Sequence, residues 1–310
     1  FAFVIWDTTN DKVFGARDIF GIKPFYYYLK DNTFLFASEI KAFLAHPEFE
    51  KKLNIARLPE YLSFEYIPDE ETMFLGVRKL LGGHCFTYEN GRMEIEPYHQ
   101  ISYQIEEDKP MDYWVDTIAR AFGDSTLAHK ISDVEVGCFL SSGVDSSYVA
   151  REMSKNNKVK AFGIGYAEEK YSELPYAQEL AATINVDFFP TKVSAADFFD
   201  IAPALQYQMD EPLPNPSAVP LYYLAKLAAE QVKVVLSGDG ADELFGGYNY
   251  YIEPLEYEKY MKIPLVIRRG IGSLAQHLPP VRGKRFLVKG GLPIEQRFIR
   301  NNYVFTRKER

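Results

Sequence analysis

Two short apolar runs of this chain are each followed directly by a loop of small polar residues. Residues 134–140 (VEVGCFL) lead into residues 141–143 (SSG), and residues 232–236 (VKVVL) lead into residues 237–239 (SGD). The runs are short and unbroken, and they are rich in β-branched residues, which predicts strands buried on both faces. The loops that follow parallel strands of this kind lie together at one edge of the sheet, where ligands bind.

The stretch after the first loop predicts a helix. Residues 146–156 (SSYVAREMSKN) place Val149 and Met153 one turn apart. A strand, a tight turn and a helix N-terminus together present free backbone N–H groups and the positive end of a helix dipole, which suit an anion. Gly143 lets the backbone approach that anion. Side-chain donors follow from the hydroxyls of Ser141, Ser142, Ser146 and Ser147.

Carboxylates accompany both loops. Asp145 would repel phosphates unless a cation stood between them, so we interpret it as a magnesium ligand. The alternative is an ordinary helix N-cap, a role that Ser and Asp both suit. Asp239, Asp242 and Glu243 make the second loop acidic in the same way. There the alternative is solvated surface charge.

Composition excludes several other classes of protein. A net charge of −8 and a pI near 5.3 argue against nucleic-acid binding. Two cysteines cannot form a disulfide scaffold and indicate a reducing, cytoplasmic compartment, and Cys138 is predicted to be a buried core thiol. No apolar run is long enough for a membrane span. The five histidines form no metal-binding spacing.

The order of the predicted elements indicates the fold class. After residue 110, helix-like and strand-like runs alternate, which predicts an α/β fold with a doubly wound parallel sheet. Residues 1 to about 45 alternate short aromatic strands with turns, which predicts antiparallel β structure, and Glu89-Asn90-Gly91 predicts a hairpin turn. The charged residues 104–110 are the predicted linker, so we expect domains at 1–105 and 106–310.

These motifs resemble, in combination, those of the glutamine-hydrolysing asparagine synthetases. The pair SSGVDSS (141–147) and SGDGADELFGGY (237–248) is similar to the loops of that family's ATP-pyrophosphatase domain. Asp210-Glu211-Pro212 looks like its DEP segment. Upstream, residues 15–18 (GARD), 21–27 (GIKPFYY) and 36–41 (FASEIK) are similar to the second half of its α+β, N-terminal-nucleophile glutaminase domain. The resemblance covers nearly the whole chain.

The resemblance implies roles for single residues. The family's pyrophosphate loop matches Ser141, Ser142, Gly143, Asp145, Ser146 and Ser147. Its adenosine-lining positions match Leu140, Ile164, Ser237 and Gly238. Its magnesium ligands match Asp145 and Asp242, and its acidic position linked to forming an acyl-adenylate matches Asp239.

Two of these positions depart from the family's common pattern. Relatives can have glutamate at the position of Asp239. Because aspartate has the shorter side chain, the resemblance does not determine how far the carboxylate of Asp239 extends into the site. Ser142 stands where many relatives have Gly. If that backbone needs a positive φ, a side chain there costs on the order of 1 kcal/mol. Either the loop avoids that conformation or it tolerates the strain.

The implied activity is ATP-dependent amide formation by a carbon-nitrogen ligase. Aspartate would attack the ATP α-phosphate to give β-aspartyl-AMP and pyrophosphate, and ammonia from glutamine would then displace AMP. Backbone donors, hydroxyls and Mg²⁺ would stabilise the charge on the phosphates. The implied ligands are ATP, Mg²⁺, aspartate and glutamine, and a homodimer is the expected assembly.

The sequence reads as an excerpt. It starts at Phe1 within a strand-like run and ends at Arg310 without a natural stop signal. In the family, the nucleophilic cysteine and the glutamine-holding residues lie upstream of the segment that Phe1 matches, and a catalytic lysine lies downstream of the segment that Arg310 matches. We therefore expect this polypeptide alone neither to hydrolyse glutamine nor to complete the synthetase reaction.

Other functions stay open at this point. A paralogous amide-forming enzyme would share the ATP site and act on a sugar, peptide or cell-envelope carboxylate. A catalytically inactive nucleotide-binding or scaffold protein is a third hypothesis. It is disfavoured by the joint retention of Asp145, Ser146, Asp239 and Asp242. A tRNA-thiolating relative of the same fold would need basic surface or reactive cysteines, of which the composition offers little.

Overall fold

The computed structural model describes residues 1–31, 33–106, 108–212 and 215–299. Contacts divide the chain into two units. The first contains Phe1–Gln104, Met209–Pro214 and Tyr257–Arg310, and the second contains Ile105–Gln208 and Asn215–Glu256. The predicted division into 1–105 and 106–310 stays a prediction. Glu107 of the predicted linker and the chain end at 300–310 lie outside the described residues.

The described residues form strands, α-helices and short 3-10 helices. The strands are β1 (Ala2–Asp7), β2 (Lys12–Arg17), β3 (Tyr26–Lys30), β4 (Thr33–Ala37), β5 (Val77–Lys79), β6 (His84–Glu89), β7 (Arg92–Pro97), β8 (Val136–Phe139), β9 (Val159–Tyr166), β10 (Val186–Val193) and β11 (Val234–Leu236). The α-helices are α1 (Leu58–Phe64), α2 (Met111–His129), α3 (Val144–Ser154), α4 (Leu174–Ala181), α5 (Ala195–Gln208), α6 (Ala218–Ala229), α7 (Ala241–Phe245), α8 (Glu253–Met261), α9 (Leu265–Gln276), α10 (Lys284–Gly290) and α11 (Ile294–Ile299). Short 3-10 helices lie at Ile40–Ala45, Ile55–Arg57, Glu169–Tyr171 and Asn249–Tyr251.

The first unit contains two antiparallel sheets, as the alternating aromatic strands predict. One has the order β1-β2-β6-β7 and the other the order β4-β3-β5. Successive side chains of a strand point to opposite faces, so Tyr27 and Tyr28 of β3 enter different apolar clusters. Tyr27 shares its cluster with Phe86 of β6, so the two sheets enclose a common core. The predicted hairpin turn is confirmed, since Asn90 and Gly91 both have positive φ.

A carboxylate from the segment at 209–214 caps a helix of the first unit. Asp210 accepts hydrogen bonds from the backbone N–H groups of Ile40 at 2.6 Å and Lys41 at 3.2 Å, and from Lys41 Nζ at 3.2 Å. Ile40 begins a 3-10 helix whose own N-cap residue, Glu39, makes no side-chain capping bond. Next to it, Glu211 accepts a hydrogen bond from the N–H of Met73 at 2.7 Å. Burial raises the pKa of Glu211.

Asp18 organises the turn that follows β2. Its carboxylate accepts hydrogen bonds from the backbone N–H groups of Ile22 at 2.9 Å and Lys23 at 3.0 Å, and its residue is 7% exposed. Burial alone would raise the pKa of Asp18, but the N–H donors, together with the ammonium group of Phe1 at 3.2 Å, outweigh it and hold the pKa at about 2. The ionised form is therefore the one that this turn stabilises.

We expect Asp18→Asn to lower the free energy of unfolding at pH 7 by about 1 to 2 kcal/mol, because an amide accepts these hydrogen bonds more weakly. A lowered pKa adds stability above the ordinary aspartate pKa and loses it as the pH falls, here between about pH 4 and pH 2. The difference in free energy of unfolding between wild type and variant should therefore decrease as the pH falls over that range. Urea unfolding at pH 7 and pH 2.5 checks this, with the exposed Asp69→Asn as control. A difference independent of pH would contradict it.

The second unit is built on one parallel sheet, with the order β10-β9-β8-β11. Both apolar runs are strands of this sheet, β8 and β11, and they pair directly, with Val136 opposite Val234 and Cys138 opposite Leu236. The prediction of a buried strand is confirmed for β8 but wrong for β11, which lies at the edge of the sheet and has Val234 37% exposed. Cys138 is fully buried, and burial raises the pKa of its thiol to about 12. The prediction of a core thiol is confirmed.

Helices cover both faces of this sheet. Val149 and Met153 of α3 and Ala181 of α4 pack with Cys138 and Ala161 in one cluster. Leu224 and Ala228 of α6 pack with Phe162 in another. Ala161 and Phe162 are neighbours in β9, so the two clusters lie on opposite faces. The predicted doubly wound α/β fold is confirmed, and the two covered faces explain why the strand sequences are apolar without alternation. None of the described helices has the length and apolar character that crossing a bilayer requires.

Candidate functional site

The two predicted loops meet where the strand order reverses. From β8 the chain proceeds to β9 and β10 on one side, whereas β11 lies on the other side of β8. The carboxyl ends of β8 and β11 therefore border the switch point, where ligands of open parallel sheets bind. We call residues 140–143 the first loop and residues 237–240 the second loop.

Hydrogen bonds within the first loop fix its shape. The N–H of Ser141 donates to Ser146 Oγ at 3.1 Å, and the N–H of Gly143 donates to Ser141 Oγ at 3.1 Å. Ser147 Oγ donates to the carbonyl of Gly143 at 2.6 Å. The hydroxyls thus hold the loop to the first turn of α3, in addition to any contact with a ligand.

The first turn of α3 faces this loop with free donors. Gly143 is the N-cap residue, with φ −67° and ψ 148°, and it makes no side-chain capping bond. The N–H groups of Val144, Asp145 and Ser146 therefore lack partners within the helix. Together with the dipole of an eleven-residue helix, they make this end of α3 attractive to an anion.

Ser142 does not adopt the left-handed conformation. Among the described residues other than glycine, positive φ occurs at Asp11, Asp31, Glu65, Asn90 and Asp210. The loop therefore avoids the conformation that would strain a side chain at Ser142. Its hydroxyl donates to Glu173 Oε2 at 2.5 Å.

The second loop lies directly against the first turn of α3, next to the first loop. A Cβ atom added at Gly238 would stand 2.7 Å from the backbone nitrogen of Ser146 and 2.8 Å from Cβ of Asp145. Only glycine permits this approach. Ser237 Oγ donates to Asp239 Oδ2 at 3.0 Å, which orients that carboxylate within its own loop. Gly240, with φ 93°, then turns the chain into α7.

Three carboxylates interact where the loops meet. Burial raises the pKa of Asp145, and the negative charges of Asp242 and Glu243 raise it further. A divalent cation would relieve this repulsion, so Asp145 and Asp242 fit the role of magnesium ligands. In the described part of the chain, no group of three or more Asp, Glu, His or Cys residues is arranged to hold a metal ion. Mg²⁺ bound with substrate phosphates needs only one or two carboxylates.

The remaining predicted site residues are Leu140, which directly follows β8, and Ile164, which lies within β9. The N–H of Leu140 donates to the carbonyl of Phe162 at 2.8 Å and continues the pairing of β8 with β9. The side chain of Leu140 is part of the core, at 2% exposed, so it offers the crevice mainly backbone. Ile164 of β9 packs against the cluster on the α6 face.

Two residues beside the loops had no role in the sequence interpretation. Glu173 contacts Ser142 from 31 positions further along the chain. Tyr248 donates its hydroxyl to Glu243 at 2.9 Å, and this hydrogen bond raises the pKa of Tyr248 to about 12. The cluster of aromatic and acidic residues at 242–251 is a sequence signal that could have identified Tyr248 as a residue near the site. No local pattern indicated Glu173.

A shallow pocket of about 410 Å³ adjoins the first loop on the outer side of α3. Its lining is Ser142, Val144, Ser147, Tyr148, Arg151, Tyr176 and Leu180. The α3 residues are spaced three or four positions apart and so share one face of that helix. This face is distinct from the one that carries Val149 and Met153 into the core.

Family models match both parts of the chain. The model described as asparagine synthase matches residues 117–300, and the model described as glutamine amidotransferase domain matches residues 1–99. The first match contains both loops and every strand of the parallel sheet. The second contains the two antiparallel sheets.

Curated relatives agree with the family models. Asparagine synthetase [glutamine-hydrolyzing] 1 of Bacillus subtilis (strain 168) is 36% identical over 313 residues, which is 98% of this chain and 48% of the relative. A protein of Mycobacterium tuberculosis (strain ATCC 25618 / H37Rv) named after the same enzyme is 35% identical over 324 residues, 99% of this chain and 48% of its own length. Asparagine synthetase [glutamine-hydrolyzing] 3 of Bacillus subtilis (strain 168) is 30% identical over 271 residues, 81% of this chain and 44% of its own length. The chain thus spans about half the length of these relatives. The asparagine synthase model alone covers more than half of the residues of this chain, and the chain therefore belongs to the asparagine synthase family.

Proposed function

We propose that this chain is part of an enzyme that uses ATP to convert aspartate to asparagine with ammonia from glutamine. The observation that carries the proposal is the close approach of the second loop, at Gly238, to the N-terminal turn of α3 and the first loop at the switch point of a parallel sheet. Relatives named glutamine-hydrolysing asparagine synthetases support the choice of reaction. A glutamine amidotransferase match at residues 1–99 supports glutamine as the ammonia source.

The chain's own residues would act mainly on the phosphates. The N–H groups of Val144, Asp145 and Ser146 would hold the β- and γ-phosphates, which leave as pyrophosphate. Asp145 and Asp242 would hold Mg²⁺, which neutralises phosphate charge when bound. Leu140, Ile164, Ser237 and Gly238 would line the adenosine.

Aspartate would enter this site as the acid to be activated. Its side-chain carboxylate attacks the α-phosphate, the bond to pyrophosphate breaks, and β-aspartyl-AMP forms. Ammonia then attacks the acyl carbon and AMP leaves. Asp239, held by Ser237, would assist the step that forms the acyl-adenylate. A homodimer in the cytoplasm is the expected setting of the complete protein.

Pyrophosphate–ATP exchange by the full-length protein tests the proposal. Labelled pyrophosphate enters ATP only if an acid is reversibly adenylated, so exchange should require aspartate among a panel of carboxylic acids. Exchange that occurs only with a different acid would identify that acid, not aspartate, as the substrate, as expected for a paralogous amide-forming enzyme. No exchange with any acid would refute adenylation and leave a nucleotide-binding protein.

A further inference from the structure

Helix α4 presents a carboxylate to the first loop. Glu173 is the N-cap residue of α4 but makes no side-chain capping bond to that helix. Its side chain instead accepts the hydroxyl hydrogen of Ser142 at 2.5 Å. The backbone of Glu173 is fixed, because its carbonyl accepts from the N–H groups of Tyr176 at 3.1 Å and Ala177 at 3.3 Å. The position of the carboxylate against the loop is therefore set by the start of the helix.

This contact opposes anion binding at the loop in two ways. The hydroxyl of Ser142 is already donated to Glu173, so it is not available to a phosphate oxygen while the bond persists. The carboxylate adds a negative charge to a site where Asp145, Asp242 and Glu243 already repel one another. A loop built only to bind pyrophosphate as tightly as possible would not have an acid here.

We propose that Glu173, acting through Ser142, is a positioning residue that limits how tightly the first loop holds pyrophosphate. The inference rests on the proposed function, in which this loop binds the pyrophosphate part of ATP and then releases it. Product release sets the turnover rate of many enzymes, so weaker product binding favours turnover. Glu173 does not touch the reacting atoms in this scheme.

The expected size of the effect of Glu173 on pyrophosphate binding follows from Coulomb's law. One carboxylate several ångströms from a bound phosphate, at an exposed site, weakens anion binding by about three- to tenfold. Salt screens charges at such sites. Any effect of Glu173 through its charge should therefore decrease as ionic strength rises, whereas a purely structural role would not depend on salt in this way.

Titration calorimetry of the full-length protein with magnesium pyrophosphate tests the proposal. In Glu173→Gln, the amide oxygen still accepts from Ser142 and only the charge is lost, so pyrophosphate should bind about three- to tenfold more tightly at low salt. Glu179→Gln, on the same helix and exposed, removes an equal charge further from the loop and should change binding less than twofold. Thermal melting confirms that each variant folds.

A double-mutant cycle tests the path through Ser142. In Ser142→Ala the carboxylate is no longer held against the loop, so pyrophosphate should also bind more tightly. The double variant should bind no more tightly than Glu173→Gln alone, because once the charge at position 173 is gone, releasing that side chain from the loop relieves no further repulsion. Additive effects, or unchanged or weaker binding in Glu173→Gln, would overturn the proposal, as would a wild type that does not bind pyrophosphate. If the wild type binds pyrophosphate but shows no exchange with any acid, the proposed function fails and the calorimetry still decides the role of Glu173.

Discussion

Asp145→Asn is expected to reduce pyrophosphate–ATP exchange by about 100-fold or more while the protein stays folded. The amide has the shape of the carboxylate but not its charge, so it is a poor ligand for Mg²⁺. Exchange should be measured with the full-length protein at saturating ATP and aspartate. Excess Mg²⁺ should recover part of the activity if metal affinity is what the variant loses.

The same substitution should not destabilise the ligand-free protein. Asp145 has a raised pKa because of burial and the charges of Asp242 and Glu243. A carboxyl whose pKa is raised on folding favours the folded state at low pH and loses that contribution as the pH rises through the folded pKa. At pH 7 the ionised side chain therefore costs stability, and Asp145→Asn should melt at the same or a higher temperature than wild type.

Asp124→Asn is the matched control for both measurements, because Asp124 is exposed on α2 and its change removes the same charge from the second unit. It should retain exchange and melting temperature. Full exchange in Asp145→Asn would remove Asp145 from the metal site. A lower melting temperature for that variant at pH 7 would show that the interaction with Asp242 and Glu243 is not repulsive.

Local pattern predicted the parts of the fold that depend on neighbours in the sequence. The apolar runs around Cys138 and Val234 were sufficient to identify two strands, although only the first is buried, and Asn90-Gly91 determined its hairpin through backbone conformation alone. Helix–strand alternation was sufficient for the fold class because few topologies satisfy it. These inferences needed no knowledge of distant contacts.

Contacts between distant residues could not be predicted in this way. Ser142 was singled out as a departure from the family's glycine, yet its partner Glu173 lies beyond β9 and belongs to a different helix. Asp210 was recognised only as part of a DEP segment, and nothing near it in sequence indicated that it would cap a helix starting at Ile40. Such partners are chosen by tertiary packing, which a single sequence does not display.

Asp210→Ala is expected to lower the free energy of unfolding of the first unit by about 3 kcal/mol. The Asp210 side chain is 7% exposed and accepts three hydrogen bonds, two from backbone N–H groups at the start of the 3-10 helix and one from Lys41 Nζ. Alanine removes both acceptor oxygens, and with them all three hydrogen bonds, from a site that water hardly reaches. Asp210→Asn keeps one acceptor oxygen and tolerates the left-handed backbone, φ 62°, so its loss should be smaller.

Hydrogen exchange locates the effect within the full-length protein, because the amide protons of Ile40 and Lys41 should lose protection more than those of β3 in Asp210→Ala. Glu39→Gln is the control: Glu39 also pairs with Lys41, at 2.8 Å, but is 57% exposed, so its loss should cost less than about 0.5 kcal/mol. Equal losses in the two variants would mean that the ion pair with Lys41 matters and the cap does not. Unchanged protection at Ile40 in Asp210→Ala would show that the 3-10 helix is stable without this carboxylate. The greater loss at Asp210 is expected because burial there leaves no water to replace the acceptor, whereas at Glu39 water is present.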